Sequence, residues 1–227
     1  MPPCGARRGG VAGTGELRDS IVREAERHPA ATAVLERAEE LACFLALLLE
    51  ANETMNLVSH ASSRPEVLVG EHLFDALAGL PFLPPASEHP RRLLDVGSGG
   101  GFPAVPLLLV RRDLEGTLVD STGKKCRFLE LAVRELGLTA TIVNARFPSL
   151  PMPPTQRFDV LTTRAVAGAG KLVRGALPIL SREARVLLWT TRPLFEEAVR
   201  EAGIHSLGFH GTPGAERRGI GVLECST

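Results

Sequence analysis

The run Leu93-Leu94-Asp95-Val96-Gly97-Ser98-Gly99-Gly100-Gly101 constrains this chain more than any other segment. An apolar stretch carrying one acid runs straight into glycines, a pattern that only a very tight, bare backbone turn requires. A second acid, Asp120, closes the next apolar run, Gly116-Thr117-Leu118-Val119. In an α/β unit both acids then stand at the carboxyl ends of neighbouring parallel strands, where such sheets bind nucleoside ligands. A dinucleotide fingerprint needs a third glycine where this chain has Phe102, which argues against a nicotinamide-linked oxidoreductase. The Asp-x-Gly-x-Gly-x-Gly spacing suits a nucleoside whose tail is an amino acid, and the ligand is read as S-adenosylmethionine. Asp95, Gly97, Gly99, Gly101, Phe102 and Asp120 are the residues expected at that cofactor.

The rest of the chain reads as a helical front piece followed by an α/β domain. Residues 1–15 are rich in glycine, proline and arginine and are expected to be a disordered lead. Helical spacing of apolar residues predicts helices over 17–28 and 33–52, and a third from Pro65 to just before Pro81. The breakers Pro81, Pro84, Pro85 and Pro90 mark a linker, so 16–90 is taken as the extension and 91–227 as the main domain. Strands are expected at 92–96, 116–119, 139–144, 158–162, 184–189, 204–210 and 220–224. Helices are expected at 104–111, 124–136, 171–180 and 193–202. This alternation predicts a mainly parallel, doubly wound, Rossmann-like sheet, with the last two strands antiparallel across a short turn-rich link.

Composition narrows the partners. The 227 residues have 44% hydrophobic content and include 4 widely scattered cysteines. The cysteines form no CxxC pair, which suggests neither zinc nor a disulfide framework. No membrane span or signal-like core is seen, and a cytoplasmic protein is expected. The zero net charge hides an asymmetry: 7 basic against 13 acidic residues through Pro90, then 19 against 13 from Arg91. A basic second part is compatible with a polyanionic partner or with an ordinary solvated surface.

Several further strings resemble one family. They are Asn52-x-x-x-Asn56-Leu57-x-Ser59, Glu71-His72-Leu73-Phe74-Asp75 and the glycine run extended through Phe102-Pro103-Ala104-Val105-Pro106. To these are added Leu118-Val119-Asp120-Ser121-x-x-Lys124-Lys125-x-Arg127 and Phe158-Asp159-Val160-x-x-x-Arg164-Ala165. Over about 41–191 the chain resembles the bacterial 16S ribosomal RNA guanine-N7 methyltransferases, also called glucose-inhibited division protein B. The resemblance implies a class I S-adenosylmethionine-dependent methyltransferase acting on small-subunit ribosomal RNA or the 30S subunit, working as a monomer without a metal. It also implies cofactor contacts at Phe147 and Pro148. Pro148 stands where the family has a glutamate, and Thr190-Thr191 replaces a lysine-glycine pair. A family tryptophan becomes Ala51, and a serine becomes Ala76.

The chemistry is sparse, and that is informative. The fourth strand region has neither an Asn/Asp-Pro-Pro-aromatic element nor a Pro-Cys nucleophile. Guanine N7 carries a lone pair and no proton, so alkylation there needs alignment rather than a general base. Arg164, at the end of a central strand, is the expected catalytic and cofactor-side residue, holding a phosphate or guanine O6 in a fork; a salt bridge to Asp95 or Asp159 is the competing account. Asn52, His72, Lys124, Lys125 and Lys171 are candidate RNA contacts, with Arg127, Arg174 and Arg192 behind them. The competing accounts are a core histidine for His72, a solvated helix face for the basic trio, and plain packing for Phe102. Alternatives are a methyltransferase of the same fold acting on another RNA or a small molecule, and an inactive ribosome-binding paralogue.

Overall fold

The computed structural model describes residues 13–28, 30–59, 61–150, 155–164, 167–212 and 217–225. Most of the expected lead, including Cys4, and also Ala165 lie outside the described residues, whereas Thr14 and Gly15 open the first helix.

Seven strands form one sheet: β1 (Arg91–Val96), β2 (Leu114–Asp120), β3 (Ala140–Asn144), β4 (Phe158–Arg164), β5 (Leu180–Thr191), β6 (His205–Gly211) and β7 (Arg218–Glu224), in the order β3-β2-β1-β4-β5-β7-β6. The first five run parallel, while β7 is antiparallel to both β5 and β6. The order reverses between β1 and β4, and the crevice at such a switch point is where α/β sheets take ligands.

Strands buried on both faces explain the near-continuous apolar runs. Neighbouring residues alternate between two hydrophobic clusters. Leu93, Leu118, Val160 and Leu187 face one side, and Leu94, Val119, Leu161 and Leu188 the other. The second side is covered by α8 (Ala169–Ala176) and α9 (Arg192–Ala202). The first is covered by α6 (Ala104–Val110) and α7 (Gly123–Leu136) together with the front helices α1 (Thr14–Ala25), α2 (Ala31–Leu35) and α3 (Ala38–Met55). Leu41, Phe44, Leu45 and Leu48 of α3 are fully buried in the same cluster as Leu93 and Leu107. The acidic front piece therefore shares its core with the sheet.

Two expected helices differ in detail. The helix expected at 33–52 is broken after Leu35, with Arg37 at the N-cap position of α3 and its side chain pairing with Glu40 at 3.1 Å. The helix from Pro65 is α-helical only at α4 (Pro65–Val67) and α5 (Asp75–Leu77), with a π-helical segment, Leu68–Phe74, between them. A π turn accommodates an extra residue, and such turns cluster at functional sites. Here it keeps Leu68, Val69, Leu73 and Phe74 in the core while the Glu71 carbonyl accepts a hydrogen bond from Arg164 Nη2 at 3.1 Å. Hydrophobic spacing cannot signal that demand, because the donor arrives from β4.

Candidate functional site

The glycine turn after β1 has the geometry its composition requires. Gly97, Gly99 and Gly101 have φ values of 79°, 55° and 91°. A Cβ on Gly101 would stand 2.9 Å from Val105 Cγ2 and 3.2 Å from Phe44 Cζ, so both conformation and space demand glycine there. The turn is tied to β2 by Gly97 N–H and Ser98 N–H, which donate to the Val119 carbonyl at 2.8 and 3.1 Å.

Two cavities open on either side of this turn, and Gly97 lines both. The first, about 390 Å³, is bounded by Asp120, Ser121, Arg146, Phe147, Pro148 and Lys171. That volume lies within the range of small-molecule sites. Asp120 is buried; its Oδ2 accepts from Gly99 N–H at 3.0 Å and its Oδ1 from Thr122 N–H at 2.8 Å. Each carboxylate oxygen has a second lone pair, so Asp120 can still accept from two hydroxyls on a ligand. Lys125 Nζ lies 3.9 Å from Asp120 Oδ2, so this lysine faces the acid. Pro148 presents no N–H and contributes only surface. Lys171 projects from α8, whose N-terminal turn closes the far wall with Gly168 and Leu172. The sequence reading missed α8 as a wall and Arg146 as a lining residue; nothing local distinguished them from an ordinary helix and loop.

The second cavity, about 460 Å³, is bounded by His72, Asp75, Phe102, Arg164, Thr190 and Thr191, among others. Arg164 bonds neither Asp95 nor Asp159. Its Nη2 lies 3.3 Å from Asp75 Oδ2 as well as donating to the Glu71 carbonyl, while Nη1 is buried with no hydrogen-bond partner among the described residues. Burial pulls the guanidinium below its ordinary pKa, with Asp75 opposing, and burial pushes the Asp75 carboxyl up, with Arg164 opposing. Asp75 is anchored in turn by Trp189, whose indole N–H donates to its carbonyl at 2.7 Å. Asp75 and Glu71 belong to the Glu71–Asp75 string, but only the fold shows that they hold the arginine. Asp159 instead accepts from Arg92 N–H at 2.9 Å and from the Ser181 hydroxyl at 3.2 Å.

His72 is half-buried at the same cavity, its ring centroid 5.5 Å from that of Phe102. Desolvation, with Arg164 adding to it, lowers its pKa to about 4, so the ring is neutral at physiological pH. Phe102 also packs edge-on to Phe44 at 5.2 Å, so it is both core and wall, and the wall belongs to the second cavity rather than the first. Asp95 lines neither cavity. It is buried beneath the turn, where Oδ1 accepts from the Thr162 hydroxyl at 2.7 Å and Oδ2 has no partner among the described residues. Desolvation raises its pKa to about 7.

The weaker candidates separate. Asn52 Oδ1 accepts from Leu57 N–H at 2.6 Å and Val58 N–H at 2.9 Å, fixing the loop that lines the second cavity. Lys124 and Arg127 stand on the first turns of α7, and Arg127 is exposed. Arg174 donates to the Glu201 carbonyl of α9, and Arg192 lies over the Phe209 ring at 4.9 Å; neither lines the two cavities. Among the described residues no group of His, Cys, Asp or Glu could hold a metal, and no helix is long and apolar enough to cross a membrane.

Residues 37–206 match the GidB family, described as rRNA small subunit methyltransferase G. The chain belongs to this family. A ribosomal RNA small subunit methyltransferase G from Halorhodospira halophila is 36% identical over 188 residues, covering 82% of this chain and 85% of the relative. One bearing the same name from Geobacter sp. is 38% identical over 160 residues, covering 70% and 71%. Among solved structures, a SAM-dependent methyltransferase from Aquifex aeolicus superposes with a TM-score of 0.54 at 14% identity, covering 67% of this chain and 90% of that one. A ribosomal protein L11 methylase from Lactobacillus delbrueckii gives 0.53 at 16% identity, covering 67% and 77%. Those two likenesses establish the shared fold of S-adenosylmethionine-dependent methyltransferases.

Proposed function

We propose that this protein transfers the methyl group of S-adenosylmethionine to N7 of a guanine in 16S ribosomal RNA, on the small subunit, in the cytoplasm and as a monomer. The observation that carries the reading is the pair of cavities meeting at Gly97, one walled by an acceptor-only carboxylate and the other by a half-buried arginine. Family membership supports the substrate, since the relatives are named for small-subunit ribosomal RNA.

The residues present fit the cofactor. Asp120 keeps lone pairs for two ribose hydroxyls, Phe147 and Pro148 give a flat wall for the adenine, and the bare turn at Gly97 leaves room where a side chain would intrude. When bound, the sulfonium supplies an electrophilic methyl group. Everything else falls to positioning. Arg164, held by Asp75 and the Glu71 carbonyl, keeps Nη1 for the guanine O6 or a phosphate. His72, neutral and a feeble base at a pKa of about 4, can exchange hydrogen bonds with the base edge but is poorly suited to removing a proton. A proton-free nucleophile such as N7 is the substrate atom that such a cavity suits. Lys171, on the wall of the first cavity, and Lys124, on the first turn of α7, are the phosphate contacts, whereas Lys125 is turned toward Asp120.

The test is tritiated-methyl transfer to purified small subunits from a strain lacking the gene, followed by borohydride and aniline cleavage of the RNA. Label in the small-subunit RNA with a new cleavage stop at one guanine is expected. Label confined to other RNAs or to small molecules would overturn the reading.

A further inference from the structure

A third cavity, about 480 Å³, lies apart from the glycine turn, between the end of α1, the π segment and the β6–β7 hairpin. Its walls carry two phenylalanine–histidine pairs from four separate places in the chain. His28 meets Phe74 edge-on with ring centroids 5.6 Å apart, and Phe82 lies against His210 at 4.3 Å with a 32° tilt. The His28 tautomer follows from its contact. Nδ1 accepts from Ala30 N–H at 3.1 Å, so the proton of a neutral ring resides on Nε2, and burial, opposed by Glu24, favours that neutral form.

Two wall residues retain unmet hydrogen-bonding capacity. His28 Nε2 is buried with no partner among the described residues. Thr212 Oγ1, also buried, is close enough to Asp75 to favour its ionised form, yet makes no well-formed hydrogen bond. Buried orphans of this kind are rare in native proteins and mark a missing partner. The charged residues on the wall, Glu24, Arg27 and Asp75, are of both signs and select no net charge in a ligand, whereas the aromatic faces favour a flat π system.

We propose that this cavity is a second ligand site, taking an uncharged, planar heteroaromatic ring of nucleobase size that offers an acceptor to His28 and stacks on the Phe82–His210 pair. The ring comes either from a free base or nucleoside, or from an unstacked nucleotide of a bound RNA; the recognition chemistry is the same. Asp75 lines this cavity as well as the one containing Arg164, so an occupant touches the residue that holds the arginine.

The experiment follows the imidazole resonances of His28 and His210 by NMR, assigned with His28→Gln and His210→Gln. Excess S-adenosylhomocysteine is present to block the first cavity. The probes are adenine, uracil and a short unstructured RNA. Both reporter rings are expected to shift with at least one probe, and the source effective at lower concentration identifies the donor. Gly70 borders the cavity with nothing within 4 Å of an added Cβ, so Gly70→Leu should fill the site without disturbing the fold. It and Phe82→Ala should each weaken the shifts by roughly tenfold or more, with circular dichroism and thermal melting unchanged for Gly70→Leu. Absence of shifts at His28 and His210 with all three probes would overturn the proposal, as would shifts that survive both substitutions. Because the readout is the two histidines, a failure here is separate from any failure of methyl transfer.

Discussion

Arg164 and Asp75 form the pair on which the substrate side turns, and their exposures of 16% and 12% make the pairing consequential. Removing one member of a buried pair strands the other, at a cost of roughly 3–5 kcal/mol where burial is complete. Asp75→Asn keeps the shape but not the charge. Its kcat/KM for methyl transfer should fall at least tenfold. The pH dependence should change as well: with its pKa raised by burial, Asp75 takes up a proton on the acid side before an ordinary carboxylate would. Wild-type activity should therefore decline toward acid pH on a limb that Asp75→Asn lacks, and an identical limb in the variant would refute this. Asp95 gives the opposite kind of test, on stability. Its folded pKa of about 7 lies above the unfolded value, so between the ordinary carboxyl range and about 7 the folded state holds a proton that the unfolded chain has released. Stability from this group falls as pH rises through that window. Urea unfolding at pH 5 and pH 8 should show Asp95→Asn gaining on the wild type at the higher pH by on the order of 1–3 kcal/mol. A difference that does not change with pH would count against the raised value.

At the scale of elements, the glycine turn and the π segment are opposite cases of legibility. The turn was readable because positive φ and close approach both select glycine, and that selection is written residue by residue. Gly101→Ala combines a φ of 91° with contacts of 2.9 Å to Val105 Cγ2 and 3.2 Å to Phe44 Cζ. It should lower stability by roughly 1–3 kcal/mol and reduce the melting temperature, as differential scanning calorimetry would show; an unchanged melting temperature would mean that the turn relaxes. The π segment left no such mark. Its apolar residues satisfy a helical pattern either way, and the partner of its Glu71 carbonyl is an arginine 93 positions further along. Asp120, by contrast, was placed correctly at the end of β2, and what the pattern lacked was that Gly99 and Thr122 already occupy one lone pair on each oxygen.

For the whole molecule, the proline-rich linker marks off a helical extension over 16–90 from the main domain over 91–227, and residues of both stretches share one buried cluster. Ile21, Leu41, Leu45 and Leu77 are fully buried in the cluster that also contains Leu93, Val105 and Leu118. A fragment comprising 91–227 would expose the apolar face of α6 and the adjoining part of the sheet. It should aggregate on expression or bind a hydrophobic dye strongly, and a soluble, cooperatively melting fragment would show that the front helices are dispensable. The charge asymmetry fits this arrangement without needing separate domains: acidic helices cover one face of a sheet whose other elements carry the basic residues, and Arg112 approaches Glu40 at 3.9 Å across that junction.

What the chain determines alone is whatever depends on near neighbours. Near-continuous apolar runs specify strands buried on both faces, periodic leucines specify helices, and consecutive glycines specify a turn that no side chain could follow. Local sterics and hydrophobic period set these before any long-range contact forms. Pairings across the fold were decided only by tertiary structure: Arg164 with Asp75 instead of Asp95 or Asp159, Trp189 with the Asp75 carbonyl, and His28 and His210 brought to one cavity. Such contacts depend on which strand ends and helix turns the packed sheet brings side by side, and a linear pattern carries residue types but not those distances.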